Sequence, residues 1–247
     1  MQPYDTLAVW YDQLMEDVPY ERWARRIAQL LERLGPQPKK LLELAAGTGG
    51  MTAHLLAEGH WITAVERSEP MLQEAVAALG NGGGRLKLIA APMEQFDTAE
   101  RFDAVLAVCD GFNYLESQAA LRDMLARCAH LCRPGGLILF DLSTDWKFRH
   151  QLHQTVIAEN HEDMAFIWEN EYDPRTRVLD FDLTFFVREG ALFRRETEHH
   201  RQRAHSPEEI AGCCEALGLV LEGVYDGYTD EPAREDSERI HCVIRKN

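Results

Sequence analysis

At 247 residues the chain suits one large domain, or a domain carrying a sizeable insertion, and its 45% hydrophobic content is enough for a packed core. A formal net charge of −15 argues against a general nucleic-acid binder, since affinity for a phosphate backbone comes from clustered Lys and Arg; the run Arg194, Arg195, Arg201 and Arg203 is the one candidate for a local basic groove. No apolar run approaches the ~20 residues of a membrane span, and the opening Gln2-Pro3-Tyr4-Asp5 lacks the basic-then-apolar layout of a secretion signal. The six cysteines, at 109, 128, 132, 213, 214 and 242, show neither a CxxC pair nor metal-finger spacing, so a reduced, cytoplasmic protein without structural disulfides is expected.

Apolar positions at Trp23, Ile27, Leu30, Leu31 and Leu34 predict a helix over 20–34, stopped by Gly35-Pro36. Leu41 to Ala45 is a short apolar run entering Gly47-Thr-Gly-Gly50, the pattern of a buried parallel strand that ends in a tight turn. A helix over 51–58, a strand from Trp61 ending on Glu66, and a helix opened by Ser68-Glu69-Pro70 follow. Further strands are expected at 86–90, 103–108 and 137–141, with a helix from Ser117 to Leu131 and a turn at Arg133-Pro-Gly-Gly136. Strands alternating with helices imply an α/β, doubly wound parallel sheet, whose ligands bind at the carboxyl ends of the strands near the topological switch point.

The pattern changes after residue 150. Leu179, Phe181, Leu183 and Phe185 alternate with Asp180, Asp182 and Thr184, the period of a half-buried antiparallel strand. Four such strands are read at 155–160, 163–172, 177–188 and 191–203. Ser206-Pro207 then starts a helix, and strands return at 219–226 and 239–245. The expected organisation is a core of residues 1–150 and 205–247 with a small antiparallel insertion, 151–204, covering an acceptor pocket.

A glycine-rich turn after a first strand serves dinucleotides, phosphates or adenosylmethionine, and a lone Gly-x-Gly does not choose among them. Three details do. The third position of a dinucleotide fingerprint is occupied here by Thr52, and no Lys-Ser/Thr pair of a phosphate loop follows. Glu43, at the mouth of the turn, would repel a pyrophosphate but suits the ammonium of a methionine moiety. Glu66, ending the second strand, can accept hydrogen bonds from ribose hydroxyls. Met93 and Glu94 are placed to meet an adenine ring and its amino group, and Cys109-Asp-Gly-Phe-Asn-Tyr-Leu115 sets a polar and aromatic cluster at the end of the fourth strand.

Glu43-Leu-Ala-Ala-Gly-Thr-Gly49 resembles the first motif of class I S-adenosylmethionine-dependent methyltransferases, and Phe102-Asp103 through Leu115 resembles their fourth. Val9-Trp-Tyr11-Asp12, Val18-Pro-Tyr-Glu-Arg-Trp23, Phe140-Asp141, Trp168 and Glu238-Arg239-Ile240 extend the likeness over nearly the whole chain, to the bacterial YqeM-like subgroup. The resemblance implies a Rossmann-like seven-stranded sheet. It also implies S-adenosyl-L-methionine held by Tyr11, Trp23, Glu43, Ala45, Gly47, Gly49, Glu66, Arg67, Met71, Met93, Glu94, Cys109 and Asp110. The sequence departs from the class at Ala46, often Cys, and from the subgroup at Gly111, often Ser. The reaction expected is in-line transfer of a methyl group to a nitrogen or oxygen, with the acceptor atom ~3–3.5 Å away. Asp110, Asn113, Tyr114 and His199 are the candidate bases. A small-molecule acceptor is preferred over RNA or protein, with a non-catalytic adenosylmethionine-binding module as the further alternative. If the acceptor is an acid, an arginine of the 191–203 strand is its expected partner. No metal is expected: His199 and His200 are adjacent on a strand and face opposite ways, and His150, His153 and His161 lack ligand spacing.

Overall fold

The computed structural model describes residues 8–36 and 39–247; the opening residues 2–5 discussed above lie outside them. In chain order the elements are α1 (Ala8–Leu14), α2 (Tyr20–Glu32), β1 (Lys40–Leu44), α3 (Gly50–Ala57), β2 (Trp61–Glu66), α4 (Glu69–Leu79), β3 (Leu86–Ala90), β4 (Phe102–Ala107), α5 (Gln118–Leu131), β5 (Cys132–Ser143) and α6 (Asp145–Lys147). Then come β6 (Val156–Asn160), β7 (Met164–Asp173), β8 (Val178–Glu189), β9 (Leu192–Arg203), α7 (Pro207–Leu217), β10 (Val220–Asp226) and β11 (Arg239–Arg245).

Seven strands form one sheet in the order β10-β11-β5-β4-β1-β2-β3. The five N-terminal strands are parallel, while β11 runs antiparallel to β5 and to β10. The chain therefore winds outward from β1 in both directions, and the switch point lies between β1 and β4. Leu41, Leu42 and Leu44 of β1 and Val105 and Leu106 of β4 are buried because helices cover both faces of the sheet. Burying each such side chain contributes about 1.5–3 kcal/mol. The helical spacing of α2 places Trp23, Ile27, Leu30 and Leu31 on its buried face. Ser68, Ser117 and Ser206 cap α4, α5 and α7 with side-chain hydrogen bonds, and Ser206 with Glu209 completes a capping box.

The remaining four strands form a separate antiparallel sheet, β6-β7-β8-β9. One face carries Phe166, Tyr172, Leu179, Phe181, Leu183 and Phe185, which pack with Ala8 of α1, Met71 of α4 and Phe148. Helix α1 thus lies between the inserted sheet and the core.

Three local features differ from the expectation. The turn read at Arg133–Gly136 is part of β5, where the register against β4 shifts between Phe102 and Ala104. Residues 8–14 are helical. The 150/151 boundary falls inside a helical turn, Phe148–Leu152, that continues α6. No helix of the described residues is long and apolar enough to cross a membrane.

Candidate active site

A cleft of about 950 Å³, its open mouth included, lies at the carboxyl ends of β1, β2 and β4. The β1–α3 turn forms its floor. There Gly49 has φ +86° and caps α3, and a Cβ on it would lie 2.5 Å from Leu79 Cδ1. Gly49→Ala should therefore cost about 1–2 kcal/mol of stability, chiefly through left-handed backbone strain. A lower urea midpoint with an unchanged slope would show it.

Glu66 organises the turn. Its Oε2 accepts from Gly47 N–H (2.9 Å) and its Oε1 from Ser68 N–H (2.8 Å). Glu43 is buried, and Thr52 Oγ1 donates to its Oε2 at 2.6 Å. Burial pushes the Glu43 carboxyl up to about 7, with the Thr52 hydroxyl acting in the opposite direction. Thr48 Oγ1 donates to Asp12 Oδ1 (2.5 Å), tying α1 to the turn and setting Tyr11 into the cleft wall. Tyr20, from α2, reaches the same wall and accepts from Cys109 Sγ at 3.6 Å.

The exits of β1 and β4 cross closely. Ala45 (φ 52°), Cys109 (φ 60°) and Asp110 (φ 50°) all adopt left-handed backbone, a strain concentrated at this end of the sheet. A Cβ on Gly111 would stand 3.1 Å from Ala45 Cβ, so the glycine at this position is matched to the close crossing.

Of the residues singled out in the sequence, Tyr11, Glu43, Ala45, Gly47, Glu66, Arg67, Met71, Met93, Glu94, Cys109 and Tyr114 line the cleft. Five others are placed elsewhere. Gly49 lies behind the turn against Leu79. Trp23 stacks on Tyr228 at 4.7 Å, with the Arg239 guanidinium 5.2 Å from its ring. Asp110 turns toward Ser143 Oγ (2.8 Å) and Arg239 (3.5 Å). Asn113 is fully buried, donating to the carbonyls of Ser143 (3.0 Å) and Arg203 (2.9 Å) while its Oδ1 accepts from Ser143 N–H. It clamps the end of β9 to β5, which corrects the reading of it as a base. His199 is likewise unsuited to that role, because it faces solvent and pairs with Asp182 (2.8 Å) and Asp180 (3.6 Å).

Its neighbour His200 takes the inward position instead, within 2.9 Å of the Tyr114 hydroxyl. The alternation of β9 announced that one of the two histidines would face the core; only the pairing of His200 with Phe181 of β8 decides which. Three of the four arginines in the run proposed as a basic groove are already paired: Arg194 with Glu189 and Glu196, Arg201 with Glu116 and Asp180, and Arg203 with Glu209.

Behind the cleft, Arg239 of β11 is paired with Asp141 of β5 and approaches Asp110, while Tyr228 O–H donates to Asp141 at 2.8 Å. Burial acts to raise both acids. For Asp141 burial prevails over Arg239; for Asp110 the combined effect of Arg239, Lys147 and the Ser143 hydroxyl prevails and holds the carboxyl below its ordinary range.

Residues 41–136 match the family described as a methyltransferase domain. The chain superposes on an S-adenosylmethionine-dependent methyltransferase from Clostridium acetobutylicum ATCC 824 with a TM-score of 0.87, at 24% identity and over 99% of each chain. The fold is that of the S-adenosylmethionine-dependent methyltransferases. In sequence, the chain is 30% identical over 245 residues to a provisionally named methyltransferase of Geobacillus sp. (strain WCH70), covering 98% of this chain and 99% of the relative. It is 29% identical over 244 residues to the provisionally named methyltransferase YqeM of Bacillus subtilis (strain 168), covering 99% and 97%. The chain belongs to this methyltransferase family.

Proposed function

We propose that the cleft holds S-adenosylmethionine and that its methyl group passes to a nitrogen or oxygen of a small-molecule acceptor, admitted on the Tyr114 side under the inserted sheet of residues 151–204. The observation that carries this reading is the Glu66 carboxylate at the end of β2, facing the cleft and held by two backbone N–H groups. An ionised carboxylate offers about four acceptor positions. Two are filled by Gly47 and Ser68, and the rest suit a vicinal pair of ribose hydroxyls.

The other groups fit around that anchor. Met71 and Met93 offer apolar surface to an adenine ring, with Glu94 in reach of its amino group. Glu43, Ala45 and Gly47 receive the methionine end, where an ammonium would offset the desolvation of the buried Glu43 carboxylate. Tyr11, Arg67 and Cys109 complete the wall. When bound, S-adenosylmethionine supplies an electrophilic methyl on a sulfonium sulfur. The contribution of the chain is to orient the acceptor in line and to exclude water. Arg194, Arg201 and Arg203 of β9 already hold carboxylates, so none of these three is offered as the partner of an acidic acceptor.

Calorimetric titration should show binding of S-adenosylmethionine and of its demethylated product, and none of NADH; the reverse pattern would overturn the donor assignment. Radiolabelled methyl transfer into separated small-molecule, RNA and protein fractions should label the first, and label confined to RNA would overturn the acceptor class. The raised value of Glu43 adds a pH dependence. Below about 7 the carboxyl is protonated and offers the ammonium no charge. Donor affinity should rise with pH up to that value, by at most about tenfold per unit, and then level off. The empty protein responds in the opposite sense: a carboxyl raised in the folded state favours folding at low pH and loses that contribution as pH climbs from the unfolded value toward 7. Glu43→Gln should flatten both profiles.

A further inference from the structure

Tyr114 stands in the cleft wall with its hydroxyl 2.9 Å from His200 Nδ1. His200 Nε2 lies 3.2 Å from Glu198 Oε2, and the side chains of both residues are almost wholly buried, 1% and 0% exposed. Phe181 fixes the imidazole plane, stacking on it at 4.7 Å with 5° between the rings. A carboxylate can only accept, so Nε2 carries the imidazole proton; Nδ1 is then left as an acceptor and the phenol donates to it. The order phenol, imidazole, carboxylate therefore runs in one direction, from the cleft into the inserted sheet. A mere tether would not require it. Asn113 already joins the sheet to the core one residue away, with neutral hydrogen bonds to Ser143 and Arg203, and a buried carboxylate carries a desolvation cost that a tether need not incur.

We propose that Tyr114, His200 and Glu198 form a proton relay that deprotonates the acceptor during methyl transfer. The proposal rests on the reading of the cleft as the transfer site. The acceptor X–H gives its proton to the Tyr114 oxygen as the phenol proton passes to His200 Nδ1, leaving an imidazolium held by the Glu198 carboxylate. The electron pair left on X forms the bond to the methyl carbon, and the electrons of the carbon–sulfur bond stay on sulfur. After product leaves, His200 returns its proton to solvent through Tyr114. Tyr114 is the catalytic residue in this scheme, and His200 and Glu198 act through it.

The relay is testable without the natural acceptor, because a phenol backed by a base is a nucleophile toward p-toluenesulfonyl fluoride. The phenol oxygen bonds to sulfur, fluoride leaves, and the proton passes to His200. Mass spectrometry of the intact, folded protein's peptides should locate the label on Tyr114. The rate should fall on the order of a hundredfold in His200→Asn and Glu198→Gln, with S-adenosylmethionine binding retained. Labelling of Tyr114 at the same rate in both variants, with that binding retained, would overturn the relay. Should either variant misfold, the wild-type protein still decides: labelling must slow in deuterated water, and the absence of an isotope effect would overturn the proposal. Labelling that depends on His200 in a protein that binds no S-adenosylmethionine would overturn the donor assignment and leave the relay standing.

Discussion

Glu66→Ala should weaken S-adenosylmethionine binding by about a hundredfold or more, which corresponds to about 3 kcal/mol. Two losses add. The donor's ribose loses a charged acceptor, worth about 1.5–3 kcal/mol. The N–H groups of Gly47 and Ser68, now bonded to Glu66 at 2.9 and 2.8 Å, lose their shared partner, and the turn that shapes the methionine end of the cleft is released. Glu66→Gln is informative as well. An amide keeps one oxygen and turns an NH₂ toward the second N–H, so it too should bind poorly despite its matching size. Calorimetric titration reads the effect, and the demethylated product should follow the same order because ribose contacts do not depend on the methyl group. Affinity of Glu66→Ala close to wild type would remove Glu66 from the donor site.

The largest effect on stability is expected at Arg239. It is part-buried against the fully buried Asp141 and lies 3.5 Å from the part-buried Asp110, so Arg239→Gln leaves Asp141 without its cation and Asp110 with Lys147 alone. Removing one partner of a buried ion pair costs about 3–5 kcal/mol. The pH dependence fixes the mechanism. In the wild type, Asp110 is held below its ordinary range, so it contributes stability at neutral pH that is lost as pH falls through the carboxylate range. Without Arg239 both acids move up, and protonation in the folded state relieves the repulsion. The deficit relative to wild type should therefore be greatest at neutral pH and shrink on acidification. Adding Asp141→Asn to Arg239→Gln should recover part of the loss, measured by urea denaturation as a double-mutant cycle. A deficit that does not vary with pH would assign the effect to lost packing on Trp23 instead.

The fold was legible in the chain to an unusual depth because its signals are local. Apolar runs ended by glycine, serine caps ahead of α4, α5 and α7, and the strict alternation of β8 each depend on a few neighbouring residues. The features missed are those without such a signal. Helix α1 is only seven residues, too short for a long amphipathic run to announce it, and it lies against the inserted sheet and α4. The bulged start of β5 looks like a turn, since Pro134 and two glycines read as one locally, yet pairing with β4 holds it in the sheet.

The same division runs through the site. The sequence by itself determined the glycine turn after β1, the acid at the end of β2 and the aromatic cluster after β4, because a parallel αβ winding must bring the ends of successive strands to one edge. It also determined that His199 and His200 face opposite sides, through the two-residue period of a strand. Only the tertiary structure decided which histidine turns inward, by the register of β9 on β8, and that Asn113 is spent as a clamp. It alone drew Asp110 away from the cleft to Arg239, a partner 129 positions further along the chain in an antiparallel strand. Contacts of that kind are set by how strands align across the sheet, and neither the period nor the composition of any single segment carries the alignment.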